Sequence, residues 1–212
     1  MPAKSSPLDV VPTSLLKACP GTFSDISANL ANLSIHQGCF PTQFKKAQIT
    51  PLVKTQGLNS EDPASYRPIS NLNTISKIIE RLVLTRITAR VSSSSSVDRL
   101  QSAYRWFHST ETVLLEVTDD IYKAFNDGQS TLLVTMDLSA AFNCINHGTL
   151  SNRFRHAFGI SGSAHNWFWS YLHRSMPFGK FSSSTSSCND LDAGVPQGSS
   201  LGPHCTLHHW LN

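Results

Sequence analysis

The sequence predicts an α+β fold, helix and strand mixed without regular βαβ alternation. Three observations carry that expectation. Residues 65–91 hold apolar side chains at helical spacing, residues 131–136 form a short apolar run ending at Asp137, and a loop dense in Gly and Pro occupies 194–203. With 212 residues, 40% of them apolar and only 15% charged, the chain reads as globular, with room for one large domain or two small ones.

Residues 1–22 are rich in Pro, Ser and Lys, with Leu15-Leu16 as a brief apolar island. The spacing of Ile26, Leu30 and Leu33 predicts a short helix over 23–38, which Phe40-Pro41 ends. KKAQITPLVK (45–54) predicts a short strand flanked by lysines, followed by a loop with Gly57, Asn59 and Pro63. Within 65–91, Ile75, Ile78, Ile79, Leu82, Val83 and Ile87 share a face while Lys77, Arg81, Arg86 and Arg90 lie mostly off it. That is an amphipathic helix, with Asn71 or Asn73 as its cap.

The serine run 92–96 reads as a linker or exposed turn. A second helix is expected over 109–126: Leu114, Val117, Ile121 and Phe125 line one side, Ser109 caps the start, and Gly128 stands where a left-handed stop belongs. Strand 131–136 should follow, delivering Asp137 to its end as a buried strand delivers a carboxylate. Helices are then expected at 147–158 and 163–173, separated by Gly159 and Gly162, and a polar hairpin over the Ser-rich stretch 180–189. The chain has no internal repeat.

The formal net charge is +3, compatible with a polyanionic partner without specifying one. Five widely spread cysteines (Cys19, Cys39, Cys144, Cys188, Cys205) contain no C-x-x-C pair, which argues for a reducing compartment and against a disulfide scaffold or structural zinc. Residues 1–30 lack a cationic start followed by an apolar core, so no signal peptide is visible, and an intracellular location in nucleus or cytoplasm is expected. No apolar run is long enough to span a membrane, so no membrane partner is expected.

Four motifs then point to a family. SYRPISNLNTISKIIERL (65–82), LQSAYRWFHSTET (100–112), DLSAAF (137–142) and GVPQGSSLGP (194–203) occur in the order and rough spacing of reverse transcriptases from non-LTR, LINE-like (jockey/CR1-like) retrotransposons, which the chain resembles over roughly residues 4–203. The resemblance implies a right-hand polymerase: fingers plus the first part of the palm, truncated before the second catalytic aspartates. The implied segments are an N-terminal flanking or fingers extension (1–44), a fingers-like region (45–130), a partial palm (131–203) and an atypical C-terminal tail (204–212).

The resemblance also implies site residues. Asp137 would be the catalytic, metal-binding carboxylate, holding Mg²⁺. Phe142 would be the aromatic gate against the ribose 2′-hydroxyl. The backbone around Leu138 and Ser139 would meet the incoming deoxynucleoside triphosphate, and Arg67 and Gln197 would also contact it. Gly194, Pro196, Gly198 and Arg105 would face the RNA template and DNA primer. Each assignment makes physical sense: a guanidinium forks onto phosphate oxygens, and glycine lets backbone approach a ligand closely.

The departures matter as much. Family members carry acids where this chain has Asn143 and Asn146, and glycine where it has Phe107. After Pro203 the family continues into an apolar helix and a hairpin bearing paired aspartates, whereas this chain reads HCTLHHWLN, as after a frame change or truncation. Two metal ions about 3.5–4 Å apart need more than one carboxylate to fix them, so a partial, inactive polymerase domain is expected. The alternatives are a non-enzymatic nucleic-acid-binding remnant and a relic without function.

Plainer readings compete at each position. Asp137 alone suits a turn, Phe142 a core, and Arg67 a solvated loop. The basic residues of 72–90 suit a solvated helix face. Trp167, Phe168, Trp169 and Tyr171 suit a helix packed in the core rather than a base-stacking platform. His204, Cys205, His208 and His209 would sit at a frayed terminus rather than around a metal.

Overall fold

A four-stranded sheet flanks a group of packed helices in the computed structural model, which describes residues 5–94, 96–98, 100–173, 175–181, 184–187 and 191–210. Helices α1 (Thr13–Ala18) and α2 (Pro20–Gln37) lead into β1 (Lys46–Val53) and β2 (Tyr66–Leu72). Then come α3 (Thr74–Ser92), α4 (Thr110–Asn126), α5 (His147–His156) and α6 (Gly162–Leu172), the strands β3 (Met176–Phe181) and β4 (Ser184–Thr185), and α7 (Gly202–Trp210). The strand order is β2-β1-β3-β4, with β1 antiparallel to β2 and parallel to β3. This is the mixed α/β arrangement expected.

β2 went unread in the sequence because Pro68 sits in its middle. The register explains the tolerance: Pro68 lies opposite Pro51, beyond the stretch of β1 that pairs with β3, so neither missing N–H breaks the β1–β3 pairing. Helix α3 starts at Asn73, not Asn71. The Asn73 side chain accepts the Ile75 N–H at 2.8 Å, and Asp9 accepts both the N–H and the hydroxyl of Thr74. Helix α2 ends at Gly38, whose φ of 65° supplies the left-handed stop ahead of Phe40-Pro41. Its buried face is Ala31 and Ser34, whereas Ile26 and Leu33 are exposed, so the predicted face is corrected.

The core gathers Ile79 and Val83 of α3, Leu150 and Phe154 of α5, Trp167 and Phe168 of α6, and Cys205 of α7. Trp167 donates its indole N–H to Ser34 Oγ at 2.7 Å, meeting its polar requirement inside the core. Tyr171 is buried as well, while Trp169 reaches solvent and stacks on His173. Lys45 Nζ donates to the carbonyls of Ser170 and His173 at the C-terminal end of α6, where a cation complements the helix dipole. Residues 202–210 are therefore not a frayed terminus: α7 packs on α5 and buries Cys205.

One expected element fails. Residues 131–136 form no strand, and Leu132, Val134 and Met136 are 87%, 69% and 92% exposed. Thr131, Val134 and Thr135 favour strand locally, but a strand needs a neighbour for its backbone N–H and C=O groups, and no described strand pairs with this segment. Helix α4 does form, with the Ser109 side chain capping Thr112 N–H and Gly128 at φ 69°, yet none of its residues is buried. The hairpin is real but shifted: β3 begins at Met176 and Lys180 pairs with Thr185. Ser95, Cys188 and Asp190 lie outside the described residues.

Candidate functional site

Loop 194–201 is fixed by backbone bonds before any side chain is considered. Gly194 N–H donates to Ile145 O at 2.8 Å and Val195 N–H to Phe142 O at 2.9 Å, seating the loop on the turn that follows Asp137. Ser70 N–H of β2 donates to Gln197 O at 2.7 Å. That bond ties the loop to the strand that carries Arg67. Glycine is required at two points: Gly194 has φ 88° with Phe142 and Asn143 backbone against it, and Gly198 has φ 119° beneath the Ser70 carbonyl.

Two buried polar side chains hold the loop from outside. His147, the first residue of α5 and 2% exposed, places Nε2 2.7 Å from Gly194 O. A carbonyl only accepts, so Nε2–H donates, and Nδ1 is buried with no partner among the described residues. Glu80 of α3 is fully buried. Its Oε2 accepts the N–H of Ser200 at 2.6 Å and of Leu201 at 3.2 Å, and its Oε1 accepts the Ser76 hydroxyl at 3.0 Å. Ser199 Oγ accepts Gly202 N–H at 2.7 Å at the start of α7. Burial raises the Glu80 pKa, and the hydrogen bonds from Leu201, Ser76 and Ser200 and the charge of Lys77 only partly oppose it. Burial also pushes the nearby Tyr171 hydroxyl well up, reinforced by Glu80 and Cys205. Burial and the Glu80 charge push the Cys205 thiol up to about 12.

The predicted site residues divide into two groups. Gly194, Pro196, Gln197 and Gly198 come together with Phe142, which is half-buried against the core as its plainer reading held. Arg67 is exposed on β2, three residues before Ser70. Asp137, Leu138 and Ser139 stand on the exposed stretch before that turn, outside the sheet. Ala140 just beyond has φ 54°. A cleft of about 490 Å³ separates α3 from the loop, lined by Thr74, Lys77, Arg81, Gly198 and Ser199. Arg105 lines a second cleft of about 710 Å³ with Leu84, Val91, Tyr104, His204 and His208.

The residues present do not assemble the metal site that the resemblance implies. Among the described residues no three His, Cys, Asp or Glu side chains are grouped to hold an ion. Asn146 instead caps α5, accepting Thr149 N–H at 2.9 Å. Sequence reading missed Glu80 and His147. An acid one turn beyond Ser76 inside an apolar helical pattern was the available signal for Glu80. For His147 the signal was its place at the end of the Asp137 segment.

The family model described as reverse transcriptase (RNA-dependent DNA polymerase) matches residues 52–207. The chain belongs to the reverse transcriptase family. Similar proteins include three from transposons or mobile elements of Drosophila melanogaster. It is 32% identical over 204 residues to the probable RNA-directed DNA polymerase from transposon BS, covering 96% of this chain. It is 30% identical to the probable RNA-directed DNA polymerase from transposon X-element over 95% of this chain, and 28% identical to the RNA-directed DNA polymerase from mobile element jockey over 96%. The chain spans 22% of the length of each of these relatives. Among the described residues no helix is long and apolar enough to cross a membrane.

Proposed function

We propose that this chain is the fingers and first palm portion of a retrotransposon RNA-directed DNA polymerase, in which loop 194–203 faces the templating base and the incoming deoxynucleotide. The observation that supports it best is the bond from Ser70 to Gln197. It ties the glycine-rich loop to β2, the strand that carries Arg67 three residues earlier. In this reading Arg67 and Gln197 contact the triphosphate with the backbone of Leu138 and Ser139, and Phe142 tests the 2′ position. Gly194, Pro196, Gly198 and Arg105 face the RNA template and DNA primer. Residues 45–130 act as fingers and 131–203 as palm.

Asp137 would be the family's Mg²⁺ ligand, and among the described residues no partner acids are assembled with it. That favours a second reading, binding without catalysis. Primer extension on an RNA template with Mg²⁺ or Mn²⁺ separates the two, comparing the chain with Asp137→Ala. Equal background signals support binding alone. Incorporation that disappears in the variant restores catalysis. Binding itself is expected to be micromolar or weaker at physiological salt and to weaken as salt rises, because counterion release from few positive charges supplies it. Arg67→Ala should weaken triphosphate binding more than RNA binding. Nanomolar, salt-insensitive binding would overturn the proposal.

A further inference from the structure

Two buried polar side chains, His147 and Glu80, grip loop 194–201. We propose that His147 and Glu80 are paired positioning residues, holding the loop by its backbone at Gly194 and at Ser200–Leu201 so that its ligand-facing shape exists before ligand arrives. The inference rests on the reading of 194–203 as the nucleotide- and template-facing loop.

Both side chains grip the loop by its main chain: His147 Nε2–H donates to Gly194 O at 2.7 Å, and Glu80 Oε2 accepts Ser200 N–H at 2.6 Å and Leu201 N–H at 3.2 Å. Between them Ser70 N–H holds Gln197 O. The loop is thus fixed at its start, middle and end from α5, β2 and α3, three elements remote in sequence.

Packing alone does not explain these residues. A buried imidazole and a buried carboxyl are both costly where an apolar side chain of similar size would fill the space. His147 carries the further cost of a buried Nδ1 with no partner among the described residues. The bonding atoms face a segment that bends through two left-handed glycines, Gly194 and Gly198. Left free, such a segment samples many backbone states. A loop ordered beforehand spares its ligand the ordering entropy, the general advantage of preorganisation.

The test uses the full chain, with hydrogen exchange read by mass spectrometry and anisotropy of a labelled RNA template–DNA primer with the complementary deoxynucleotide. His147→Asn and Glu80→Asp stay polar but withdraw the bonding atom, whereas His147→Gln and Glu80→Gln keep a group that can reach. The first pair should raise exchange at amides 194–202 at least about tenfold while amides of α2 and α6 stay within about twofold. The second pair should remain within about threefold of the parent chain. Affinity for duplex plus nucleotide should fall about five- to tenfold in the first pair only.

Unchanged loop exchange in His147→Asn and Glu80→Asp, or an equal rise across α2 and α6, would overturn the proposal. A loop that opens locally with affinity unchanged would overturn the positioning role, leaving only an internal brace. A parent chain that binds neither duplex nor nucleotide sinks the functional reading instead, and the exchange pattern still decides whether the clamp exists.

Discussion

Gly198 lies directly beneath Ser70: a Cβ on Gly198 would stand 2.7 Å from the Ser70 carbonyl oxygen. The obstacle is backbone of a paired strand, which cannot swing aside as a side chain tip can. The φ of 119° adds strain for any L residue. Gly198→Ala should therefore cost about 2–3 kcal/mol of stability, or break the Ser70–Gln197 bond to escape. Thermal denaturation and loop hydrogen exchange separate these outcomes. A variant with unchanged melting and unchanged loop protection would show that the contact does not exist in solution.

How far the sequence was readable follows from where each structure gets its stability. Strand 45–54 and helices α3, α5 and α6 carry their instructions locally, as periodicity, caps and glycine stops, and they appear close to where periodicity and caps indicate. Segment 131–136 carries strand-favouring residues, yet pairing is a tertiary fact and no described strand pairs with it. The loop 194–203 was legible as a motif dense in Gly and Pro. Its supports, Glu80 and His147, were not, because a buried polar residue is indistinguishable from an exposed one until its partner, here more than 40 residues away, is known.

Phe107 occupies a left-handed backbone position, φ 64°, and is 96% exposed. A glycine here would be unstrained, because without a Cβ the left-handed conformation meets no clash. Phe107→Gly should stabilise the chain by about 1 kcal/mol, the relieved strain of 1–2 kcal/mol being partly offset by glycine's greater unfolded entropy. Chemical denaturation measures it. A loss of stability would mean that the ring has packing which its exposure conceals.

The unpaired stretch 131–138 and the apolar face of α4 leave Leu132, Met136, Leu114 and Phe125 open to solvent. Such a surface, with free backbone groups beside it, invites association. The chain should bind an apolar-surface dye strongly and self-associate with rising concentration. Leu132→Lys combined with Met136→Lys should reduce both. A monodisperse monomer with no dye signal would refute the exposure.

His208 packs against Phe158 at 4.8 Å between ring centroids, and burial, reinforced by His204, lowers its pKa to about 4. The unfolded imidazole takes a proton near its ordinary 6.5. The unfolded chain therefore binds more protons between these values, and the stability His208 confers is present above about 6.5 and lost as pH falls toward 4. The full effect is about 3 kcal/mol. His208→Gln should remove that portion of the acid sensitivity, as read from denaturant midpoints at pH 7 and 5. An identical pH slope in the variant would show that His208 is solvated.

Glu80 works in the opposite sense. Its carboxyl faces Ser76 and Lys77 of its own helix, Ser200 and Leu201 of the loop, Tyr171 of α6 and Cys205 of α7. Tyr171 and Cys205 are both held neutral by burial and contribute no charge at ordinary pH. With the folded pKa raised above 4.5, the folded chain holds this proton to higher pH than the unfolded chain does. Its contribution is therefore complete below about 4.5 and declines as pH rises through the folded value. Glu80→Gln imitates the protonated acid at every pH, with a carbonyl for the two loop N–H groups and an amide toward Ser76. The stability difference between variant and parent should accordingly grow in the variant's favour as pH rises from 4 to 8. Paired denaturation curves across that range measure it. A constant difference would mean that Glu80 titrates at its ordinary value, and that the loop is held by a carboxylate whose burial the surrounding hydrogen bonds fully offset.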